Sequence, residues 1–528
     1  MVDALNRARR YPQAGVDWTA LRSDIQKARH AQGIEPGKPG LVEFQRGRAS
    51  ELERRHFGDS GLFQSRLMYG IANADVDLDT LMKDLEASVE AAVKIGEGEK
   101  GAEIRSTVVL GGGPAGLGAA IALAQRGIEV TLVERKSIED RRFHPIFNSR
   151  ISLLRNLSLL GVHDAVMKES SYTEQAVLRN MVEGFEASLE PLHAARSRGH
   201  LSGAALTELA KTGEAPTLVD DSDIFNLPDL ISKPSRAQIA YGDLVRALAE
   251  HAKSVGVKIV DHATADVASA AAGKYSVVAT KDGGEMLELG TPDRIVVASG
   301  RVDRFAALEG QFRPLEESVR RRFCSGLAKI PMGSVQRRQT KEVDGETLRT
   351  VVIGHGQKDA AWMLTQVPER FQGGPEELKA YWKKEVASAM APEAAAQLSD
   401  ATIEHVGEAP FDVQLSRLQR MSNEQQVLVI GDAAHKAHFL TSYGVHLAVG
   451  GDLRALEAHV DATRTHGAAA GFWEFERVMQ ENAASWCGGS LDEFDDSSSP
   501  WSMRVMTYEP LIRPGQFARR PLEAPGKS

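Results

Sequence analysis

The stretch Val108–Ala120, VVLGGGPAGLGAA, decides the fold. Just before it the chain is apolar and β-branched: Ser106–Leu110, STVVL, reads as a buried parallel strand. It breaks into G-x-G-x-x-G, with Gly111, Gly113 and Gly116 in the three glycine places. AGLGAAIALAQRG follows, a run of small residues with no polar stripe, and it predicts a buried helix stopped by Gly127. EVTLVE is the next strand, and Glu134 stands at its end, 21 residues after Gly113.

The glycine pattern alone is weak. Between a strand and a helix, with a carboxylate closing the next strand, it predicts a dinucleotide cradle. Gly111 permits the tight turn, Gly113 lets a pyrophosphate approach the backbone, and Gly116 lets helix and strand touch. The helix start offers unpaired N–H groups and the positive end of its dipole. Glu134 would accept hydrogen bonds from ribose hydroxyls and repel a 2′-phosphate. NADP is therefore disfavoured at this loop, which leaves NAD or FAD.

A second glycine site lies in VLVIGDAAHKAHFLTSYGVHLAVGGDLRALEAHV, residues 427–460. A strand ends in Gly431-Asp432, a loop follows, and a helix begins near Gly444. The two sites together resemble the FAD-dependent aromatic hydroxylases typified by para-hydroxybenzoate hydroxylase, over roughly residues 105–486. The resemblance implies FAD as cofactor. It implies pyrophosphate and adenosine contacts at Gly111, Gly113, Pro114, Ala115, Gly116, Glu134 and Arg135. It also implies a ribityl contact from Asp432 after Gly431, and N–H groups at Gly444 and Val445 facing the flavin N1–C2 edge, where a helix start stabilises negative charge. Arg142, with Arg141 second, stands where the family places an arginine against the pyrophosphate.

The chain departs from the family in two places. Ser299-Gly300, in VVASGRVDRF, stands where the family has Asp-Gly in a motif linked to FAD and NADPH. Gly300 and Arg301 are still expected to line the flavin site, but the carboxylate is gone. Phe439, Ser442 and His446 replace the family's proline, glycine and asparagine. FAD binding survives these changes as an expectation, whereas direct reduction by NAD(P)H is put in doubt and a partner flavin reductase becomes an alternative electron source. The catalytic candidates are His438, Tyr443 and Arg301, because imidazole titrates near neutral pH and the other two sit beside the glycine sites. His435 reads as structural. Trp362, Met363 and Gln366 lie on a β-like segment that would cover the substrate, with core packing the plainer reading.

The rest of the chain bounds the function. It has 528 residues, 63 Lys and Arg against 72 Asp and Glu, and a net charge of -9, so neither nucleic acid nor an anionic membrane is a favoured partner. There is no apolar run of membrane-spanning length and no secretory signal. Two cysteines, Cys324 and Cys487, give neither a disulfide framework nor a metal site, and the expected location is cytoplasmic.

The expected fold class is α/β: a Rossmann-like FAD-binding domain on a parallel sheet, an inserted mixed β-sheet substrate domain, and a helical N-terminal extension. The expected divisions are 1–104 for the extension, 105–309 for the first part of the FAD domain with an insertion at about 170–235, 310–427 for the substrate-covering sheet, 428–486 for the second part, and 487–528 for the tail. In the extension, Asp17 is the expected N-cap of one helix, and Leu78, Leu81, Leu85, Val89 and Val93 mark another. Asp282-Gly283 is the expected turn of a hairpin. The leading expectation is an FAD-dependent monooxygenase of an apolar or aromatic small molecule, in natural-product metabolism, with oligomer formation left open. The rivals are an FAD-bound non-redox cyclase or isomerase and a non-enzymatic binding protein resembling GDP-dissociation inhibitors.

Overall fold

The computed structural model describes residues 15–31, 42–57, 101–138, 145–149, 151–172, 200–202, 224–226, 237–333, 336–436 and 443–494, with isolated positions between 67 and 89. Arg141, Arg142, His438, most of the 170–235 insertion and the tail after Phe494 lie outside these residues.

The chain opens with α1 (Trp18–Ala31) and α2 (Val42–Phe57). Asp17 caps α1 as its side chain requires, with Oδ1 accepting from the Ala20 N–H at 2.9 Å. The apolar positions Leu21, Ile25, Leu78, Leu81, Leu85 and Val89 are all buried, and they share one cluster with Ala470 and Trp473 near the other end of the chain. Val93 lies outside the described residues.

A strand–helix–strand unit follows: β1 (Ser106–Leu110), α3 (Pro114–Ala124) and β2 (Glu129–Val133). Helix α4 (Tyr241–Ser254) leads to β3 (Lys258–Val260). A meander of β4 (Ala263–Ser269), β5 (Tyr275–Lys281) and β6 (Met286–Gly290) returns the chain to β7 (Arg294–Val297). The hairpin between β5 and β6 is present, but the residue with positive φ is Gly284, at +82°, one place beyond the expected pair. Its ring closes from the Lys281 N–H to the Glu285 carbonyl at 2.9 Å, a three-residue loop that needs its glycine last.

Residues from Pro314 build the second sheet: β8 (Pro314–Ala328), β9 (Gln336–Val343), β10 (Glu346–His355) and β11 (Ala360–Val367), then α5 (Pro375–Ala389), β12 (Ile403–Val406) and β13 (Phe411–Leu418). Strand β14 (Val427–Val429) rejoins the first sheet, and the short β15 (His435–Lys436) rejoins the second. A single helical turn (Tyr443–His446), a π-turn (Leu447–Gly451), α6 (Asp452–His466) and α7 (Ala468–Phe494) complete the described chain.

The first sheet has the order β14-β7-β1-β2-β3 and every pairing in it is parallel. Parallel strands are covered on both faces, and β1, β7 and β14 are correspondingly near-continuous apolar runs. All eleven residues of α3 are buried. Its small side chains let it sit tight: a Cβ at Gly118 would lie 3.3 Å from Leu453 Cδ1 on α6.

The second sheet is antiparallel, in the order β9-β10-β11-β8-β13-β15, with β12 paired to β8. Along β11, Ala361, Met363 and Val367 pack with Trp382 of α5. Met363 is therefore core, under the helix. Trp362, Leu364 and Gln366 alternate onto the other face, beside Ile353 and Val351 of β10 by register. The β10–β11 turn fastens this sheet to the first domain, because Lys358 Nζ lies 2.6 Å from Asp243 Oδ2 in the first turn of α4.

Candidate cofactor and active site

Four hydrogen bonds carry the parallel ladder just past the ends of its strands. Gly111 N–H donates to the Val133 carbonyl at 2.9 Å and Glu134 N–H to Val260 at 2.9 Å. Ala298 N–H donates to Leu110 at 2.8 Å and Ile430 N–H to Val297 at 3.0 Å. These bonds set Gly111, Glu134, Ala298 and Ile430 side by side at the carboxyl edge of the sheet. That edge is where open α/β sheets bind their ligands.

The glycines of the first loop divide by cause. Gly111 has φ +113°, and a Cβ there would meet the Ala298 carbonyl oxygen at 2.6 Å. A Cβ at Gly116 would lie on the Gly111 carbonyl oxygen, 1.8 Å away. The protein's own packing demands both. Gly113 is different: its backbone is extended, with φ -77°, and a Cβ would find only the Tyr241 hydroxyl at 3.5 Å, an ordinary contact. The open face at Gly113 is where a pyrophosphate would stand. Gly113 is also the N-cap of α3, with no side chain capping the helix, and Pro114 opens the first turn. The first-turn N–H groups are thus left for an anion.

Glu134 serves the loop as well as the expected ribose. Its Oε2 accepts from the Gly112 N–H at 2.5 Å and its Oε1 from the Lys136 N–H at 3.0 Å. Arg135 is exposed. Arg304, stacked over the Phe305 ring at 4.6 Å, lies in the field of both Glu134 and Arg135, and burial holds its guanidinium below the usual arginine range.

The second glycine site presses on the first. Gly431 has φ +61°, and a Cβ there would be 2.8 Å from the Ala115 side chain in the first turn of α3. Sites some 300 residues apart in the chain thus share one surface. Asp432 is exposed at the loop surface, yet desolvation by the surrounding protein pushes its carboxyl up, offset in part by His435 and Lys436 and reinforced by Asp452.

Asp452 holds this loop from behind. It is fully buried; its Oδ2 accepts from the Gly431 N–H at 2.8 Å, and its Oδ1 lies 3.1 Å from His435 Nε2. His435 is thus buried and held by Asp452. Gly444 and Val445 fall within the single turn Tyr443–His446, so the helix starts where the sequence placed it. The π-turn that follows has no counterpart in the sequence pattern. Val449 leaves helical geometry there, with φ -108° and ψ 16°, and the bend delivers Asp452 to the loop.

The catalytic candidates fare unequally. Tyr443 opens the single turn. His438 lies outside the described residues. Arg301 is turned outward, 70% exposed, and holds Asp303 through Nη2 at 2.6 Å and Nε at 3.0 Å. Ser299 packs on the first loop, since its Cα would be 2.8 Å from a Cβ at Gly111; Gly300 has φ +79° with open space around it. Sequence reasoning missed Asp452 and Tyr241. An aspartate after paired glycines at a helix start was the one available signal for Asp452. Tyr241 carried none.

Among the described residues there is no cluster of ligands that would hold a metal ion, and no helix is long and apolar enough to cross a membrane.

The residues present fit a flavin dinucleotide. Gly111, Gly113 and Gly116 would form the cradle, Glu134 would meet the ribose, and Gly431-Asp432 would close the far side. A family model described as FAD binding domain matches residues 105–300. The fold is similar to that of p-nitrophenol 4-monooxygenase PnpA from Pseudomonas putida DLL-E4, at 15% identity and TM-score 0.50, over 77% of this chain and 94% of that one. It is similar to tetracycline destructase Tet(51), at 12% identity and TM-score 0.50, over 78% of this chain and 99% of that one. It is also similar to Diels-Alderase PyrE3 of the pyrroindomycin pathway, at 14% identity and TM-score 0.50, over 76% of this chain and 78% of that one. Among curated proteins none matches the chain. Residues 105–300 therefore match an FAD-binding domain, and the chain has a fold similar to that of p-nitrophenol 4-monooxygenase PnpA.

Proposed function

We propose that the chain is an FAD-dependent monooxygenase that hydroxylates or epoxidises an apolar or aromatic small molecule, as a cytoplasmic enzyme of natural-product metabolism. The carrying observation is the meeting of Gly431 with Ala115, which joins the two flavin-type glycine sites at one sheet edge. The apolar face of the second sheet, with Trp362, Leu364, Val351 and Ile353, supports a dry substrate chamber beside that edge.

When bound, FAD supplies the transfer of one oxygen atom of dioxygen to substrate, with two electrons from a donor and release of the other atom as water. The chain's own residues do the positioning. The N–H groups after Gly113 hold the pyrophosphate and Glu134 the ribose. Asp432 orients the ribityl chain. The N–H groups of Gly444 and Val445 stabilise negative charge at the ring edge. Tyr443 and His438 are the proton-handling candidates, while Arg301 would act only after release from Asp303. Ser299 in place of a carboxylate favours a partner flavin reductase over direct NAD(P)H use.

The test is a visible spectrum of the purified chain, recorded anaerobically before and after NADPH or NADH. A flavin spectrum is expected, and a colourless protein that takes up no FAD sinks the reading. Bleaching by NAD(P)H alone would remove the need for a reductase. The same Ser299 favours a second reading, a non-redox cyclase or isomerase that keeps the flavin. It is supported if the flavin-loaded chain consumes no oxygen with any reductase-generated supply of electrons.

A further inference from the structure

The β10–β11 turn reaches the first domain beside the glycine loop. Residues 356–359 make the turn, and Asp359 takes φ +46°, a left-handed conformation that sets the direction in which the turn leaves the sheet. Lys358 runs from it to α4, where its Nζ lies 2.6 Å from Asp243 Oδ2 and 4.0 Å from Glu169 Oε2. Asp243 is 7% exposed, and its other oxygen accepts from Arg246 Nη1 at 3.3 Å. His355, fully buried at the base of the turn, is held below the usual imidazole range by burial and then by Lys358. At neutral pH the positive charge at this joint therefore comes from Lys358 and Arg246.

The residue that Lys358 holds belongs to a helix start with no side-chain cap. The short strand Ala237–Ala240 runs straight into α4, Ala240 is the N-cap, and its methyl caps nothing. Strand β10 packs against that same short strand, so the second sheet also holds the approach to the helix. Tyr241 is the first residue of α4 and Asp243 the third, within one turn. The Tyr241 hydroxyl stands 3.5 Å from where a Cβ on Gly113 would lie, across the open face of the glycine loop. A shift of Asp243 carries Tyr241 with it.

We propose that Lys358 is a positioning residue for the cofactor: it pins the first turn of α4 through Asp243 and so holds the Tyr241 hydroxyl at the mouth of the glycine loop. This rests on the flavoenzyme reading, since it makes the seating of the second sheet a condition for tight FAD binding. The coupling is reciprocal, so bound FAD strengthens the Lys358–Asp243 contact in turn.

The test titrates FAD into flavin-free full chains of the parent, K358M, K358R, Y241F and K358M/Y241F, read by quenching of flavin fluorescence. Hydrogen exchange in the same flavin-free chains follows the amides of residues 117–120, the first bonded turn of α3. K358M is expected to weaken FAD binding about tenfold, within the usual range of couplings between linked sites, and K358R to recover most of the loss. Y241F should weaken FAD as well, and K358M should add less than about twofold in that background, because the two residues act as one unit. Residues 117–120 should exchange faster in K358M than in the parent. A joint that only stabilises the fold would lower the melting temperature of K358M and leave its FAD affinity equal to the parent's, which overturns the proposal. Effects of K358M and Y241F that multiply in the double variant also overturn it, since Lys358 would then act by another route. Should the chain take up no FAD, the flavoenzyme reading fails by itself. Exchange then decides: unchanged amides at 117–120 in K358M overturn the role of Lys358, and faster exchange upholds it.

Discussion

Asp452→Ala is the perturbation with the most traceable consequence. Asp452 is 0% exposed and uses both carboxylate oxygens, one on the Gly431 N–H and one on His435. Alanine leaves a buried backbone N–H unsatisfied, at about 1–3 kcal/mol. It also strips His435, itself 1% exposed, of its partner, and breaking a buried pair costs about 3–5 kcal/mol in all. We expect a total near 3–5 kcal/mol. At about 2–4 °C per kcal/mol for domains of 150–250 residues, the melting temperature should fall by about 6–20 °C. In the proposed site this loop closes on the cofactor, so FAD should be lost in gel filtration where the parent keeps it. Asp452→Asn separates geometry from charge: its Oδ1 still accepts from Gly431, but its amide cannot accept from His435. It should fall between parent and alanine on both measures. Thermal unfolding with and without added FAD, together with the flavin-to-protein ratio, reads both effects. An alanine variant that melts within a degree of the parent and retains its flavin would refute the claim that this carboxylate holds the loop.

Two further predictions concern the same domain. Gly113→Ala should fold with an unchanged melting temperature in the flavin-free state while losing FAD affinity, because its Cβ meets only the Tyr241 hydroxyl at 3.5 Å; Gly116→Ala should fail to fold the domain, because its Cβ falls on a carbonyl oxygen 1.8 Å away. Equal behaviour of the two variants in melting and flavin titration would contradict this division. His459, buried against Phe472 and accepting from Arg294 Nε at 2.7 Å, is pushed down to about 3 by burial and then by Arg294. Its folded value lies below the ordinary value near 6.5, so the unfolded chain binds the proton first. Stability is fully present above about pH 6.5 and falls toward pH 3, by up to about 1.4 kcal/mol per pH unit. His459→Gln, which still accepts from Arg294, should flatten the melting curve between pH 6.5 and 4.5; an identical slope in the variant would rule His459 out as the source.

Much of the nucleotide half was legible because its signals are local. A strand's apolar run, a glycine that must take positive φ, a helix of small residues and a carboxylate at a strand end each declare themselves within a few positions. Gly111, Gly116 and Glu134 therefore stand where the sequence placed them. The substrate half was less legible because its faces are set by register. In β11 the residues on both faces are apolar, so Trp362 and Met363 looked equivalent; only the helix α5 above Met363 makes one of them core. Arg301 showed a charge beside a glycine but not its direction, which depends on Asp303 two residues on.

By itself the sequence determined the dinucleotide-binding unit, the flavin-type Gly-Asp loop and the loss of a carboxylate at Ser299, since each is a property of contiguous residues. Only the tertiary structure decided that Gly431 rests on Ala115, that Asp452 holds the loop from behind, and that Arg417 is buried on the second sheet. Those relations join residues far apart in the chain, and their energy comes from burial and pairing. No spacing along the sequence encodes either.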